Sequence, residues 1–145
     1  MRIAVLADTH DRLPVHVREA IAGADEIWHL GDVCDEAILD SIVKLGRPLR
    51  VVRGNCDSCL DWPHALEFEI EGFRIFLTHI PPRTAPPGID LLFHGHTHVP
   101  RHERVGRTLF CNPGCITRPN RGAPASYAWL DLRRGELAGW TLEYV

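Results

Sequence analysis

Residues 3–10 read IAVLADTH, five consecutive apolar residues followed by an aspartate, a threonine and a histidine. A continuous apolar run of this length is typical of a β-strand that is buried on both faces, as in a parallel sheet covered by helices. In open α/β sheets, ligands bind at the carboxyl ends of the strands. This stretch therefore predicts an α/β fold and marks one edge of its sheet as a candidate site.

The remainder of the first third of the chain continues this pattern. Residues 14–22 and 35–45 show the helical spacing of apolar residues and end near glycine or proline. Residues 25–30 and 48–53 read as strands that end in polar turns. The resulting βαβαβ order predicts a parallel sheet covered by helices.

The pattern changes to alternating strands in the rest of the chain. Residues 66–79, 102–112 and 126–144 each read as a β-hairpin. A proline-rich loop at 81–88 leaves no room for a helix before the next strand, so we expect one face of the molecule to be thinner there. We predict one α/β domain, residues 1–145, in which two mixed β-sheets pack as a sandwich with flanking helices.

Composition excludes several classes of protein. The chain has 145 residues and a net charge of −3, without a basic block that would bind a nucleic-acid backbone. It contains no run of about 18 apolar residues that could span a bilayer. The first strand begins at residue 3 and leaves no room for a secretion signal. We therefore expect a cytoplasmic protein with no membrane partner and no stable nucleic-acid partner, and a homo-oligomer is compatible with the sequence.

The five cysteines are an odd number in a chain that we expect to be cytoplasmic, so a disulfide framework is not expected. Cys56 and Cys59 form a C-x-x-C motif, and a redox or zinc site there is one alternative for the function. A zinc ribbon needs a second ligand pair, and the spacing of Cys111 and Cys115 suits one poorly. We interpret Cys34, Cys59 and Cys111 as structural thiols.

Residues that can bind a metal stand at five strand ends. In chain order they are Asp8-x-His10, Gly31-Asp32, Gly54-Asn55, His79 and Gly95-His96-x-His98. We expect each i, i+2 pair to project to one side of extended backbone, and the five strand ends to converge on one crevice. Oxygen and imidazole donors without thiolate suit manganese, iron, zinc or nickel. Seven ligands are too many for one tetrahedral ion and suit two divalent ions, about 3.5–4 Å apart, that share one carboxylate.

The ordered series D-x-H, GD, GN, H and GHTH resembles the calcineurin-like metallophosphoesterases. The segments LADTHD, GNCD, GHTH and NPG are most similar to the small single-domain phosphodiesterase branch of that family, and the resemblance extends from residue 3 to about residue 122. It implies two ligand groups joined by one carboxylate: Asp8, His10 and His98 on one metal, Asn55, His79 and His96 on the other, and Asp32 as the bridge.

The resemblance also implies a phosphoesterase with two divalent metal ions, manganese being the expected metal, and catalytic roles for His10, Asp32 and Asn55. In this mechanism the cations polarise the phosphoryl oxygens, and a water or hydroxide between them attacks phosphorus in line with the leaving group. The expected substrate is a small phosphate ester, nucleotidic esters included. The alternative from another class is a non-catalytic metal-binding scaffold or interaction module, because one trafficking subunit has this fold with a degraded site.

One departure from the family bears on which ester is cleaved. In many relatives a histidine follows the GN motif and, oriented by an acid, helps to protonate the leaving group. Here Cys56 occupies that position, so Asp35 at the position of the acid lacks its partner and can equally cap the following helix. A thiol with a reference pKa of about 8.5 is a poor proton donor, and a dianionic monoester needs a donor more than a diester does. We therefore expect a phosphodiesterase, with a phosphomonoesterase as the alternative.

Three further side chains are candidates for binding the substrate: Arg53, His94 and Arg121. Arginine can bind phosphate through two N–H groups, although most surface arginines only face solvent. His94 adjoins the GHTH motif and, by strand alternation, shares a face with His96 and His98. His29 is expected to support the site from outside the ligand set. Because the loop at 81–88 replaces a helix of the relatives, we expect a more open crevice there, suited to bulky diesters or to cover by a partner subunit.

Overall fold

The computed structural model describes all 145 residues, and ten strands and two helices make up its regular structure. In chain order these elements are β1 Arg2–Leu6, α1 Val15–Ile21, β2 Glu26–His29, α2 Glu36–Val43, β3 Leu49–Val51, β4 Ala65–Ile70, β5 Phe73–Thr78, β6 Leu91–Phe93, β7 Arg101–Val105, β8 Thr108–Asn112, β9 Ser126–Arg133 and β10 Glu136–Tyr144. Neither helix is long and apolar enough to cross a membrane.

The first sheet contains the parallel strands that the start of the sequence predicts. Its strand order is β10-β9-β1-β2-β3, in which β1, β2 and β3 are parallel, β9 is antiparallel to β1, and β10 is antiparallel to β9. Helices α1 and α2 connect the three parallel strands, so the predicted βαβαβ order is confirmed. Helix α2 begins where the Asp35 side chain accepts a hydrogen bond from the backbone N–H of Ala37, at 2.9 Å.

The second sheet is formed by the alternating strands of the middle of the chain. Its order is β4-β5-β6-β8-β7, with β5, β6 and β8 parallel and with antiparallel strands β4 and β7 at its edges. The hairpins predicted at 66–79, 102–112 and 126–144 are all present. Each sheet is therefore mixed, as expected.

The two sheets pack face to face around an apolar core. Trp28 of the first sheet meets the rings of Phe68 and Phe93 from the second sheet edge-on, with ring centroids 5.5 and 5.2 Å apart. Val5 of β1 lies in this core, whereas its neighbour Leu6 lies beneath the helices. Strand β1 is thus buried on both faces, which explains its continuous apolar sequence.

Helices cover the outer face of only one sheet. Val17 of α1 and Leu39 of α2 pack against the first sheet. No helix stands between β5 and β6, and the outer face of the second sheet carries only a small buried cluster of Ile89, Leu92 and Phe110. The expectation of a thinner face beside the proline-rich loop is confirmed.

Candidate metal centre

The loops that follow β1, β2, β3, β5 and β6 converge, and they bring together all seven predicted metal ligands. Three of these residues form one group. His98 Nε2 lies 3.2 Å from Asp8 Oδ1, and His10 Nε2 lies 3.8 Å from the same oxygen. The two histidine nitrogens are 3.3 Å apart. These three donor atoms surround one point at which a cation could bind.

The second group is built around Asn55. Its Oδ1 lies 3.0 Å from His79 Nε2 and 3.0 Å from His96 Nδ1. Asp32 lies between the two groups: its Oδ1 is 3.4 Å from His79 Nε2, and its Oδ2 is 3.9 Å from His10 Nε2. The seven side chains therefore form two clusters that share one carboxylate.

Tight turns, rather than extended backbone, present most of these side chains. Five of the seven residues have φ between 40° and 68°, in the left-handed region that is costly for residues other than glycine: Asp8, His10, Asp32, His96 and His98. The prediction of extended backbone for the two i, i+2 pairs is wrong, because β1 ends at Leu6 and β6 ends at Phe93. Strained turns of this kind concentrate at ligand-binding and catalytic sites, which supports a functional role for this edge.

Gly54 allows the loop after β3 to pass close to Asp32. A Cβ atom at this position would lie 2.1 Å from Asp32 Oδ1, so a larger residue would displace the shared carboxylate. The backbone N–H of Cys56 donates a hydrogen bond to the same oxygen, at 2.8 Å. The main chain of residues 54–56 therefore fixes the position of Asp32.

Asp57 holds two of the predicted ligand loops together, and it is not among the residues predicted from the sequence. Its Oδ1 accepts hydrogen bonds from the backbone N–H groups of Val33 and Cys34, at 2.8 and 2.9 Å. Its Oδ2 accepts from the N–H groups of Asp32 and Gly54, at 2.9 and 2.7 Å. This one carboxylate therefore holds together the loops after β2 and β3. The sequence feature that could have indicated this role is its position two residues after the GN motif, within GNCD.

Hydrogen bonds outside the ligand set orient two of the histidine rings. His79 Nδ1 lies 2.8 Å from the carbonyl oxygen of Leu30, and His98 Nδ1 lies 2.6 Å from that of Arg118. A carbonyl can only accept, so these contacts assign the ring proton to Nδ1 in both residues. When the ring is neutral, the lone pair of each Nε2 atom then faces the centre, as metal-binding imidazoles require.

Two further buried residues hold the loop that carries Asp8. His29 Nε2 lies 3.1 Å from Thr9 Oγ1, and its Nδ1 accepts a hydrogen bond from the N–H of Gly31 at 3.2 Å. Burial lowers the pKa of His29 to about 4. The Cys115 thiol donates to the carbonyl oxygen of Asp8, at 3.2 Å. Both residues contact the backbone around the ligands and not the centre itself, as expected for His29.

Asp8 is a buried carboxylate whose Oδ1 atom accepts no hydrogen bond, although His98 Nε2 lies 3.2 Å from it. Burial is the main cause that raises its pKa to about 6, although the charges of His79 and His98 act in the opposite direction. An ionised carboxylate in such a place is costly unless it is paired or binds a metal. A cation beside Oδ1 would remove this cost.

The pKa values of Asp32 and His79 also bear on whether the centre can bind a cation. Burial opposes the ionisation of Asp32, but hydrogen bonds from His79 and from the backbone N–H of Cys56 hold its pKa well below the usual range. Burial alone would lower the pKa of His79, whereas its hydrogen bond to Asp32 and the charge of Asp8 raise it. Two carboxylates that are ionised at neutral pH therefore face this pocket.

The donor atoms fit divalent metal ions. Ligand atoms of Asp8, Asp32 and His79 lie within 4.8 Å of one another, and the unpartnered Oδ1 of Asp8 is among the atoms available for coordination. Carboxylate, amide and imidazole donors together suit manganese, iron, zinc or nickel. The candidate ligands therefore suit the divalent metal ions that the sequence predicts.

The three predicted substrate-binding residues line two cavities beside the ligands. His94 and Arg121 contribute, together with the predicted ligand His96, to a cavity of about 500 Å³. Arg53 and Asn55 contribute to a second cavity of about 180 Å³. Both cavities therefore open next to the second ligand group.

The strand alternation from which the orientation of His94 is predicted does not extend to this residue. Strand β6 ends at Phe93, so His94 and His96 do not share a strand face. The His94 ring is only 1% exposed, and its Nδ1 lies 3.0 Å from the carbonyl oxygen of Gly95. Burial lowers its pKa to about 4, so the ring is neutral.

The cysteines do not form a disulfide in this structure. All five are free thiols, and Cys56 is exposed at the edge of the ligand set. The C-x-x-C motif is therefore not a closed redox pair here. Asp35 is exposed and caps α2, so it contributes no acid to the centre.

These features define a class of protein. The chain belongs to the calcineurin-like phosphoesterase superfamily, whose domain model matches residues 1–135. Over an alignment that covers 90% of this chain and 88% of the relative, it is 32% identical to the phosphodiesterase YfcE of Escherichia coli K12. It is 36% identical to the probable metallophosphoesterase MJ0623 of Methanocaldococcus jannaschii, over 82% of this chain and 70% of that protein. The resemblance seen in the sequence motifs is confirmed.

Solved structures support the same fold. The structure of YfcE, described as a phosphoesterase from Escherichia coli, superimposes with a TM-score of 0.78 at 28% identity, and covers 97% of this chain and 98% of its own. Zinc-complexed Vps29 from Entamoeba histolytica superimposes with a TM-score of 0.80 at 22% identity, over 100% of this chain and 98% of its own. The second likeness concerns the fold alone. The predicted sandwich of two mixed sheets is confirmed.

Proposed function

We propose that this protein is a phosphodiesterase that works with two divalent metal ions, Mn²⁺ being the expected metal. The observation that carries the proposal is the division of seven metal-binding side chains into two clusters joined by Asp32. The relative YfcE is named a phosphodiesterase, which supports the same reaction for this chain.

Each cluster would hold one ion: Asp8, His10 and His98 the first, Asn55, His79 and His96 the second, with Asp32 between them. When bound, two divalent cations supply Lewis acidity to a phosphoryl group and lower the pKa of nearby water. Asp32 stays ionised because the backbone N–H of Cys56 donates a hydrogen bond to it and because the neighbouring His79 ring also lowers its pKa. Its charge is therefore available to both clusters at neutral pH.

The two cavities beside the second cluster suit the two ester substituents of a phosphodiester. Arg121 is exposed and lines the larger cavity, and Arg53 lines the smaller one. Guanidinium groups bind phosphate oxygens through paired N–H groups. Each cavity therefore offers a guanidinium group. A phosphate bound at the two clusters would extend its two ester substituents away from the metals and into these cavities.

Cys56 favours a diester over a monoester. Partial burial and the charge of Asp32 raise the pKa of its thiol, which makes it a weaker proton donor than a free thiol. Asp35 caps a helix instead of orienting an acid. The leaving group of a dianionic monoester depends most on a positioned acid, so a site without one is better suited to a monoanionic diester.

The test is a comparison of bis(p-nitrophenyl) phosphate with p-nitrophenyl phosphate, using protein reloaded with Mn²⁺. We expect a higher kcat/KM for the diester. Asp32→Ala should abolish turnover of both, whereas Asp40→Ala, an exposed acid on α2, should leave both unchanged. Wild-type rates in Asp32→Ala would refute the two-metal centre. A higher kcat/KM for the monoester would refute only the substrate preference.

A non-catalytic scaffold is the second candidate, because Vps29 has this fold. If the protein is a scaffold, it should bind metal and show no turnover in the same assay. All four predicted histidine ligands are present and converge, which favours the enzyme.

A further inference from the structure

Two thiols lie beside the ring of His10. Cys34 Sγ lies 3.6 Å from His10 Nδ1, and a ring nitrogen of His10 and the sulfur atoms of Cys34 and Cys56 all lie within 4.8 Å of one another. The other ring nitrogen, Nε2, faces Asp8 and His98 in the first ligand group. The imidazole of His10 therefore stands between the predicted metal centre and a pair of sulfur atoms that the proposed mechanism does not use.

The partner of Cys56 in this arrangement comes from another loop. The C-x-x-C motif pairs Cys56 with Cys59 in sequence, but the fold brings it to Cys34, which follows β2. Hydrogen bonds fix the main chain at both positions: Cys56 N–H donates to Asp32 at 2.8 Å, and Cys34 N–H donates to Asp57 at 2.9 Å. The two sulfur atoms are thus carried on backbone that is already held in place.

The spacing of the three atoms suits a tetrahedral ion. With Zn–S of about 2.3 Å and Zn–N of about 2.0–2.1 Å, a tetrahedral angle separates a nitrogen and a sulfur ligand by about 3.5 Å and two sulfur ligands by about 3.8 Å. The observed separation of 3.6 Å between His10 Nδ1 and Cys34 Sγ matches the first value. Cys56 is exposed, so its side chain can rotate to reach the second.

We propose that His10 Nδ1, Cys34 Sγ and Cys56 Sγ form a further cation site, which binds a thiophilic divalent ion of the zinc class. Thiolate donors select such ions over manganese, whereas the seven-ligand centre offers only oxygen and imidazole. Binding forms two metal–sulfur bonds and one metal–nitrogen bond, with no change of oxidation state. It releases to solvent the two thiol protons and the Nδ1 proton of His10, whose imidazolate then joins this ion to the ion that Nε2 would hold. The exposure of Cys56 leaves the fourth position open to water.

Titration of the manganese-loaded protein with Cd²⁺ tests this site without a turnover assay, because cadmium–thiolate coordination gives an ultraviolet charge-transfer band. We expect the band to saturate at one added ion per chain. It should be lost in Cys34→Ser and in Cys56→Ser and retained in Cys59→Ser, the matched control from the same C-x-x-C motif. Cadmium that only replaces manganese in the oxygen and imidazole centre gives no such band.

Alkylation of the wild-type protein provides a second readout that needs no variant to fold. Bound Cd²⁺ should protect Cys34 and Cys56 from iodoacetamide and leave Cys59 at its original labelling rate. The proposal is overturned if no band forms, if the band survives Cys34→Ser, or if Cys59→Ser abolishes it. A loss of two hydrogens by mass, marking a disulfide between Cys34 and Cys56 in place of an ion, would also overturn it.

Discussion

Asp57→Asn is expected to weaken metal binding although Asp57 is not a ligand. Its carboxylate accepts four backbone hydrogen bonds of 2.7–2.9 Å from the loops that carry Asp32 and Asn55. An asparagine has a single acceptor oxygen, so its NH₂ group would face two of these donors. A buried donor without a partner costs about 1–3 kcal/mol, which gives roughly 2–6 kcal/mol for two. Asp57 is only half-buried, so we expect the lower end of this range, about 2 kcal/mol.

Calorimetric titration of the metal-free protein with Mn²⁺, together with thermal unfolding, measures both consequences. A destabilisation of this size corresponds to a decrease of roughly 4–8 °C in Tm. Loss of a group that holds metal ligands in position costs roughly 10–100-fold in metal affinity. Asp61→Asn is the matched control, since Asp61 is an exposed acid on the same loop. Wild-type affinity and Tm in Asp57→Asn would refute the organising role of this carboxylate.

Three further outcomes are expected. Cys56→His should raise the ratio of monoester to diester kcat/KM, and an unchanged ratio would contradict the leaving-group argument. Gly54→Ala should reduce Mn²⁺ affinity about tenfold or more, because its Cβ would lie 2.1 Å from Asp32 Oδ1, whereas Gly23→Ala, with its nearest contact at 3.7 Å, should bind normally in the same titration. The pKa of Asp8 is about 6 in the folded protein against an ordinary pKa of 3.8, so the metal-free folded state binds more protons than the unfolded state between these values. Metal-free protein should therefore lose stability as pH rises from about 4 to 6, while Mn²⁺ affinity increases; unfolding curves in which Asp8→Asn shows the same pH-dependent loss would disprove this assignment.

The sequence predicts much of the fold because apolar periodicity reports burial directly. Strand β1 shows a continuous apolar run because Val5 and Leu6 face two different cores. The convergence of the seven candidate ligands could also be predicted, since each follows a strand and the carboxyl ends of the strands converge. The turns themselves could not, because the left-handed φ of residues such as His96 is imposed by tertiary contacts and not by the local sequence.

The contacts between the loops around the centre could not be predicted from the sequence for a similar reason. Asp57 acts on the backbone of a loop about 25 residues earlier, and no periodic pattern marks such a contact. The proximity of Cys34 and Cys56 likewise depends on how two loops pack, whereas the sequence pairs Cys56 with Cys59. Strand alternation does not apply to His94, because β6 ends one residue before it, although His94 and His96 line the same cavity.

Anomalous diffraction from a crystal grown with Mn²⁺ tests the two-metal centre most directly. We expect two peaks about 3.5–4 Å apart, with Asp32 between them. One peak should lie within bonding distance of Asp8, His10 and His98, and the other should be bound by a second group of ligands: Asn55, His79 and His96. A single peak, or two peaks of which neither contacts Asp32, would contradict it.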